Sequence, residues 1–298
     1  MHFSVITPCL NQIEYLKRCI ASIHDQVVPG TVSVHHHIQD GGSSDGTIKF
    51  LESEINKNAV MEGYRLSFSS GKDRGMYDAL NQGIDFLCAE MEDESGIFAW
   101  LNCDEQYLPD TLVEVAHAFE QNSSSDFLCG NTLNLDDKYQ LLTFKKNPLL
   151  RERYVQADFL YVQSAASFFR DKIFRNGLRF GDRWKVVEDS DFFLTLLRHG
   201  FRPSRLNKYL AILVMTGNTL SESETGLVEL DAWRATMPLS SRLFRIPLNI
   251  CRYLEKWMHG GYCEKFPLTY SVYTQKTLDT REEITAYNGT FRFTWGVK

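Results

Sequence analysis

The sequence predicts an α/β protein: a mostly parallel sheet flanked by helices, followed by a helical C-terminal extension. Over the first ~120 residues, short apolar or β-branched runs alternate with helical stripes at a period of about 30 residues, the length of a βαβ unit. Polar clusters fall where the runs end, at Thr7-Pro8, at Asp40 and at Asn102 to Glu105. Open parallel sheets bind their ligands at those carboxyl ends. Composition bounds the class: 298 residues at 43% hydrophobic and 23% charged describe an ordinary globular chain.

The elements follow in order. Phe3 to Thr7 reads as a buried strand. Asn11 offers an N-cap to a helix with Ile13, Leu16, Ile20 and Ile23 on its apolar face. Gly30 breaks the chain, and the β-branched, His-rich run Thr31 to Gln39 reads as the second strand. Asp40 to Thr47 is a loop opening a helix; Ser44 or Asp45 is its cap, and Ile48, Leu51 and Ile55 its apolar face. Tyr64 to Ser69 reads as a third strand, and Met76, Leu80, Ile84 and Leu87 mark a third helix. Ile97 to Leu101 is a strand, and Leu112, Val115 and Phe119 mark a further helix. Gln163 to Phe169 and Leu206 to Met215 read as later strands. Glu188 to His199 reads as a helix, with acids in its first turn and Arg198 and His199 in its last, the order that suits a helix dipole. Residues 242–262 read as one basic amphipathic helix, with Arg242, Arg245, Arg252 and Lys256 among Leu243, Ile246, Ile250, Leu254 and Trp257.

Several function classes are excluded. The net charge of −6 argues against a protein that coats nucleic acid. The longest apolar run, Leu210 to Met215, is far short of the ~18 residues of a membrane span. Residues 1–10 lack a basic n-region, so no signal peptide is expected. Seven cysteines without a C-x-x-C pair argue against a disulfide framework and fit a reducing, cytoplasmic setting. His35-His36-His37 invites a metal reading, but strand side chains alternate faces and no third ligand stands at useful spacing. The first strand is followed by Thr7-Pro8-Cys9-Leu10-Asn11, which has neither the glycines of a dinucleotide fingerprint nor the Gly-rich basic loop of a nucleotidyltransferase.

Three clusters are candidates for chemistry. Trp100 to Pro109 ends a buried strand in adjacent carboxylates, oxygen ligands of the kind Mg²⁺ or Mn²⁺ share with substrate phosphates. Asp40 to Thr47 puts a carboxylate at a strand end beside glycines that admit a ligand to the backbone. Glu188 to Asp191 opens a helix with carboxylates placed to serve as a general base. Each also has a plain reading, as a strand-end loop, a tight turn or dipole-complementing charge, and the residues alone leave both open.

Taken together, residues 3–220 resemble the inverting glycosyltransferases of family 2, with the GT-A fold. The matching segments are Phe3 to Asn11, Asp40 to Thr47, Asp73 to Ile84, Leu101 to Pro109, Gln163 to Arg170 and Glu188-Asp189 with Leu197-Arg198, in the family's order. The resemblance implies a non-processive enzyme of bacterial polysaccharide or lipopolysaccharide type. It would move one sugar, with inversion, from a nucleotide-diphosphate donor, a UDP-sugar first, to a saccharide or lipid-linked saccharide acceptor. Thr7 and Pro8 would line the base by backbone contacts, and Asp40 would accept from it. Asp73 and Asn81 would border the donor. Asp104 would bind Mn²⁺ or Mg²⁺, and Asp189 would be the general base. Asn102 stands at the first position of the metal D-x-D, which leaves Asp104 as the one ligand assigned. A degenerate, non-catalytic relative would be expected to lack Asp104 or Asp189, and both are present.

The catalytic domain is expected over residues 1–220 and an extension over 221–298 for acceptor, membrane-surface or dimer contact. For residues 242–262 three roles stay open: peripheral contact with the inner face of the plasma membrane, packing on the catalytic domain, or a homodimer contact.

Overall fold

A computed structural model describes residues 1–58, 61–90, 96–215 and 224–292. Its parallel half is built around β1 (His2–Cys9). β2 (Ser33–Asp40) pairs in parallel on one side and β4 (Gly96–Trp100) on the other, and β3 (Tyr64–Ser70) extends the sheet beyond β2. Parallel neighbours require crossovers, here α1 (Ile13–His24), α2 (Thr47–Asn58) and α3 (Met76–Glu90). Strand alternation splits the core: Phe3 and Val5 pack with Leu16, Ile20 and Leu51, whereas Ile6 packs with Leu80, Ile84 and Phe98. α3 sits so close to β1 that a Cβ on Gly83 would lie 2.8 Å from Ile6 Cγ2, so only glycine fits there.

The second half is mixed. After the short β5 (Glu105–Tyr107), α4 (Thr111–Gln121) leads to β6 (Phe127–Leu135), with β7 (Leu141–Lys145) antiparallel to it. β8 (Ser167–Arg170) joins the halves, antiparallel to both β4 and β6. β9 (Pro203–Val214) runs parallel to β6, and β5 closes the edge antiparallel to β9. The order is β3-β2-β1-β4-β8-β6-β9-β5.

Aromatic stacking carries the site's second wall. Trp100 stacks on Phe169 at 5.0 Å, and Phe180 on Phe192 at 4.3 Å. Phe192 and Phe193 belong to α7 (Glu188–Arg198), so this cluster fixes the helix against the sheet. α5 (Glu152–Ala157) and α6 (Lys172–Arg175) are short helices before it.

The C-terminal part packs on the same body. Trp233 of α8 (Glu224–Ala235) is fully buried in the Trp100 cluster. α9 (Leu239–Leu243) and α10 (Arg245–Met258) follow, then a hairpin of β10 (Leu268–Val272) and β11 (Glu282–Ala286). Tyr270 and Val272 close a third core cluster with Leu108, Leu133 and Ile212. The expected boundary at residue 220 lies outside the described residues. Among the described residues no helix is long and apolar enough to cross a membrane.

Three local expectations are corrected. Asn11 does not cap α1; it adopts φ 52°, which asparagine tolerates, and its Oδ1 accepts from the Ser44 amide at 2.8 Å. The strand read from Gln163 begins at Ser167, after a 3-10 turn at Ser164–Ala166. The helix read over 242–262 is two helices broken at Phe244.

Candidate active site

The strand ends set the floor of the site. β1 finishes at Cys9, opposite Asp40 of β2, which is itself opposite Ser70 of β3. Asp40 is fully buried. Its Oδ2 accepts from the Gly42 amide at 2.9 Å, the Ser43 amide at 3.0 Å and the Ser70 hydroxyl at 2.6 Å. Its Oδ1 is buried with no partner among the described residues. A buried acceptor left unmatched costs about 1–3 kcal/mol, so one open at a sheet's carboxyl edge can take a ligand's donor.

The loop after β2 is locked to the loop after β1. Asp45 accepts from the Thr47 amide at 3.1 Å and the Thr47 hydroxyl at 2.6 Å, opening α2, and its other oxygen takes the Ile13 amide at 3.1 Å. Asp73, before α3, accepts from the Gly75 amide at 2.9 Å. Its other oxygen lies 2.7 Å from where a Cβ on Gly41 would stand, which brings Asp73 beside Asp40 and demands glycine between them.

The turn Asn102 to Glu105 follows β4. Glu105 donates its amide to Asn102 O at 3.0 Å, and its Oε2 accepts from the Asn102 amide at 2.7 Å. Burial, then the neighbouring Asp104 charge, pushes the Glu105 carboxyl up to about 8. The turn is thus closed on itself, and Asp104 is left over. No side chain among the described residues hydrogen-bonds its carboxylate, and burial raises its pKa. Asn102 Oδ1, two residues before it, is buried without a partner among the described residues.

A divalent cation can be tested against this donor set. Among the described residues no group of three His, Cys, Asp or Glu could hold a metal. One free carboxylate and one orphaned amide oxygen make a hard, incomplete shell. That fits an ion completing its coordination with substrate phosphates, and does not fit an all-protein cage.

The wall opposite is the start of α7. Glu188 is buried and spends both oxygens on the backbone, taking the Gly181 amide at 2.6 Å and the Trp184 amide at 3.3 Å. Asp191 accepts from Trp233 Nε1 at 3.1 Å. Asp189 between them is half-buried, and its Oδ1 accepts from the Ser190 amide at 2.7 Å and the Ser190 hydroxyl at 3.4 Å. Burial pushes its carboxyl up to about 6, against the pull of the Ser190 hydrogen bonds. Such a group is ionised near neutrality yet more basic than an exposed aspartate, which suits a general base. The Tyr77 hydroxyl in the first turn of α3 donates to Val186 O at 3.0 Å, which sets the start of α7 beside the carboxyl edge.

The other expected site residues are placed differently. Thr7 is fully buried, its hydroxyl 2.9 Å from His36 Nε2, so it enters the site only through its strand. Pro8 is half-buried, and its carbonyl accepts from Cys103 Sγ at 3.2 Å. Asn81 commits both ends of its amide to Phe180, donating to Phe180 O and accepting from Phe180 N, each at 2.9 Å. It ties α3 to the segment before α7. Sequence reasoning missed Glu229 of α8, whose carboxylate takes the Lys185 and Val186 amides at 2.8–3.0 Å and holds the approach to Asp189. Its partners lie more than 40 residues away, so no local pattern announces it.

Comparison with known proteins places this geometry. The residue pattern of the family described as Glycosyl transferase family 2 matches residues 4–178, more than half of the chain. Relatives named "PGL/p-HBAD biosynthesis glycosyltransferase" from Mycobacterium bovis and Mycobacterium tuberculosis are 26% identical over 250 residues, covering 81% of this chain and 86% of theirs. A crystal structure of S. aureus TarS 1-349 with UDP-GlcNAc superposes with a TM-score of 0.59 at 18% identity, over 87% of this chain and 73% of that one. Against a longer TarS chain the match spans 44% of that chain. The Pyrobaculum calidifontis mannosyltransferase PcManGT, solved with GDP-Man and Mn2+, gives a TM-score of 0.51 at 17% identity, over 86% of this chain and 71% of that one. At these identities the two structures establish a shared fold.

Proposed function

The chain belongs to glycosyl transferase family 2, and on that premise we propose that it transfers one sugar from a nucleotide-diphosphate donor to a hydroxyl of a saccharide or lipid-linked saccharide, with inversion. The observation that carries the donor side is the buried, unpartnered Oδ1 of Asp40. A pyrimidine ring N–H is a donor of the right kind, so a uridine nucleotide is the first choice. Asp104, with Asn102 Oδ1 beside it, would hold Mn²⁺ or Mg²⁺. Such an ion, when bound, offsets the charge that develops on the leaving diphosphate.

The chain's own residues do the rest. Asp40 fixes the base, and the Gly41–Asp73 contact keeps the loop above it in place. Asp189 takes the proton of the acceptor hydroxyl. That oxygen bonds to the anomeric carbon from the face opposite the diphosphate, whose bond to the carbon breaks. One in-line displacement needs no covalent intermediate. The product class this supports is a surface glycan or glycolipid.

The test is a thermal-shift and donor-hydrolysis screen of UDP-, GDP- and dTDP-sugars with Mn²⁺. A ligand at a hundredfold excess over its Kd adds about 2.7 kcal/mol to stability, enough to identify the base. One donor should also be hydrolysed slowly. Asp104→Ala should leave the fold intact and remove the metal-dependent hydrolysis, by about 10³-fold or more, the scale of a lost charge-stabilising group. Tight binding without turnover under any acceptor would sink the enzymatic reading.

A further inference from the structure

Helix α10 is inside out. Arg252 and Glu255 are buried, Asn249 and Lys256 lie on the same side of the helix one turn from Arg252, and Arg245 lies two turns from it. That polar stripe faces the protein. Glu255 pairs with Arg151 at 3.0 Å, and Asp158 receives Arg234, Arg245 and Arg252 at 2.9, 2.7 and 3.2 Å. The opposite stripe is apolar and open to solvent: Leu243 of α9, then Ile246, Ile250, Tyr253, Leu254 and Trp257, at spacings of one, three and four. Ile246 is 74% exposed and Trp257 67%. A row of this size on a water-facing helix marks a surface that something covers.

The charges say what covers it. Residues 239–262 hold Arg242, Arg245, Arg252 and Lys256 against a single acid, Glu255, within a chain of net charge −6. Three guanidiniums share the one Asp158 carboxylate, so the region keeps a positive excess. Arg242 at the flank is exposed and has no ion pair among the described residues. A second copy docking here would bring two positive rims together, whereas an anionic surface complements one. The α10 helix, 14 residues or about 21 Å long, is too short to cross a bilayer core of about 30 Å and the right shape to lie in its interface. Tyr253 and Trp257 are the amphipathic aromatics that settle at headgroup depth.

We propose that the α9–α10 face rests on an anionic phospholipid surface, with Ile250 and Trp257 sunk to the headgroup–acyl boundary and the exposed Arg242 and half-exposed Arg245 at its flank against the headgroups. This placement does not depend on the identity of the sugar or its acceptor.

Flotation of the full chain with vesicles tests it. The protein should float with phosphatidylcholine vesicles containing phosphatidylglycerol, and much less with phosphatidylcholine alone. Trp257→Gln and Ile250→Gln, both at exposed positions, should keep the melting temperature and lower the partition coefficient more than tenfold, since each removes a large buried apolar group. Arg242→Gln should lower it about fivefold, and added salt should weaken binding in the same direction. Failure of the wild-type protein to float with either vesicle overturns the proposal. So does a stable dimer in light scattering that Ile250→Gln dissociates, because the second copy would then be the occupant.

Discussion

Strand β2 buries titratable groups at two places and treats them in opposite ways. His35, His36 and His37 are all buried, and their rings are spent on neighbours: His35 Nε2 and His37 Nδ1 on Ser67 Oγ at 2.8 and 2.9 Å, His36 on Thr7 Oγ1 and Tyr64 OH at 2.9 and 3.2 Å. Burial lowers them to about 3, 3 and 4, so they stay neutral and hold the sheet together. Three residues on, Asp40 is as deeply buried, yet one of its oxygens has no partner. Asp104 and Asp189 are only half-buried, and burial raises both of their carboxyls. Burial alone therefore does not mark function in this molecule. Thr143 Oγ1, Asn147 Nδ2 and Arg252 Nε are also buried without a partner among the described residues and lie outside the candidate clusters, so what singles out Asp40 is an unspent acceptor at a strand's carboxyl end, where a ligand's donor can remove the cost.

The contrast is broken or sharpened most strongly at Asp189. Asp189→Asn keeps the shape and the Ser190 contacts but cannot take a proton. It should lower kcat by about 10²–10⁴ and leave donor Kd unchanged. In the wild type, kcat should fall as pH drops through about 6, where the folded carboxyl becomes protonated, and the variant should lose that limb. A pH profile shared by wild type and variant would move the base elsewhere. Asp191 would then be the next carboxylate to test, although the Trp233 indole holds it.

Asp40→Asn comes next. The Asn oxygen can still accept from Gly42, Ser43 and Ser70, but its amide then presents N–H groups where the free oxygen was. Two donors face each other when a base binds. Titration calorimetry should show donor Kd raised by about 5- to 150-fold, the worth of one buried hydrogen bond turned against its partner. The melting temperature should move little. An unchanged Kd would mean that Oδ1 is not where the base docks.

The same contrast explains what could be read in advance. The parallel half was legible because its apolar or β-branched runs and helical stripes repeat at about 30 residues, as in Phe3 to Thr7 or Met76 to Leu87. β6 was not: all nine of its residues are buried, but Asn131, Thr132 and Asn134 interrupt the pattern, and only tertiary neighbours justify them. The short β5 and the β10–β11 hairpin were missed for the related reason that distant partners define them. In the site, residue types and spacing pointed to Asp40, Asp104 and Asp189. They could not reveal that Glu188 spends its oxygens on loop amides, that Asn81 clamps Phe180, or that Thr7 turns inward. Those facts depend on side-chain direction, which sequence does not carry.

The smallest effect falls on the satisfied side of the comparison. His36→Phe keeps the ring's bulk but leaves the buried Thr7 and Tyr64 hydroxyls without their partner. Denaturant unfolding near pH 7.5 should show a loss of about 1–3 kcal/mol with kcat and donor Kd unchanged. Linkage gives a second signature. The folded pKa of His36 is depressed from 6.5 to about 3, so the unfolded chain takes up a proton that the folded chain refuses. That contribution is complete above 6.5 and is lost as pH falls toward 3. Glu105, Glu188 and Asp189 work in the opposite sense: their raised pKa values cost stability as pH rises, from 4.5 through about 8 and about 7 for the glutamates and from 3.8 through about 6 for Asp189. Total stability against pH therefore mixes two opposed trends, and the difference between wild type and His36→Phe isolates one. That difference should shrink by about 1 kcal/mol between pH 6.5 and 5.5. A variant that instead kept its stability and lost donor affinity would place His36 among the unspent groups and erase the distinction drawn along β2.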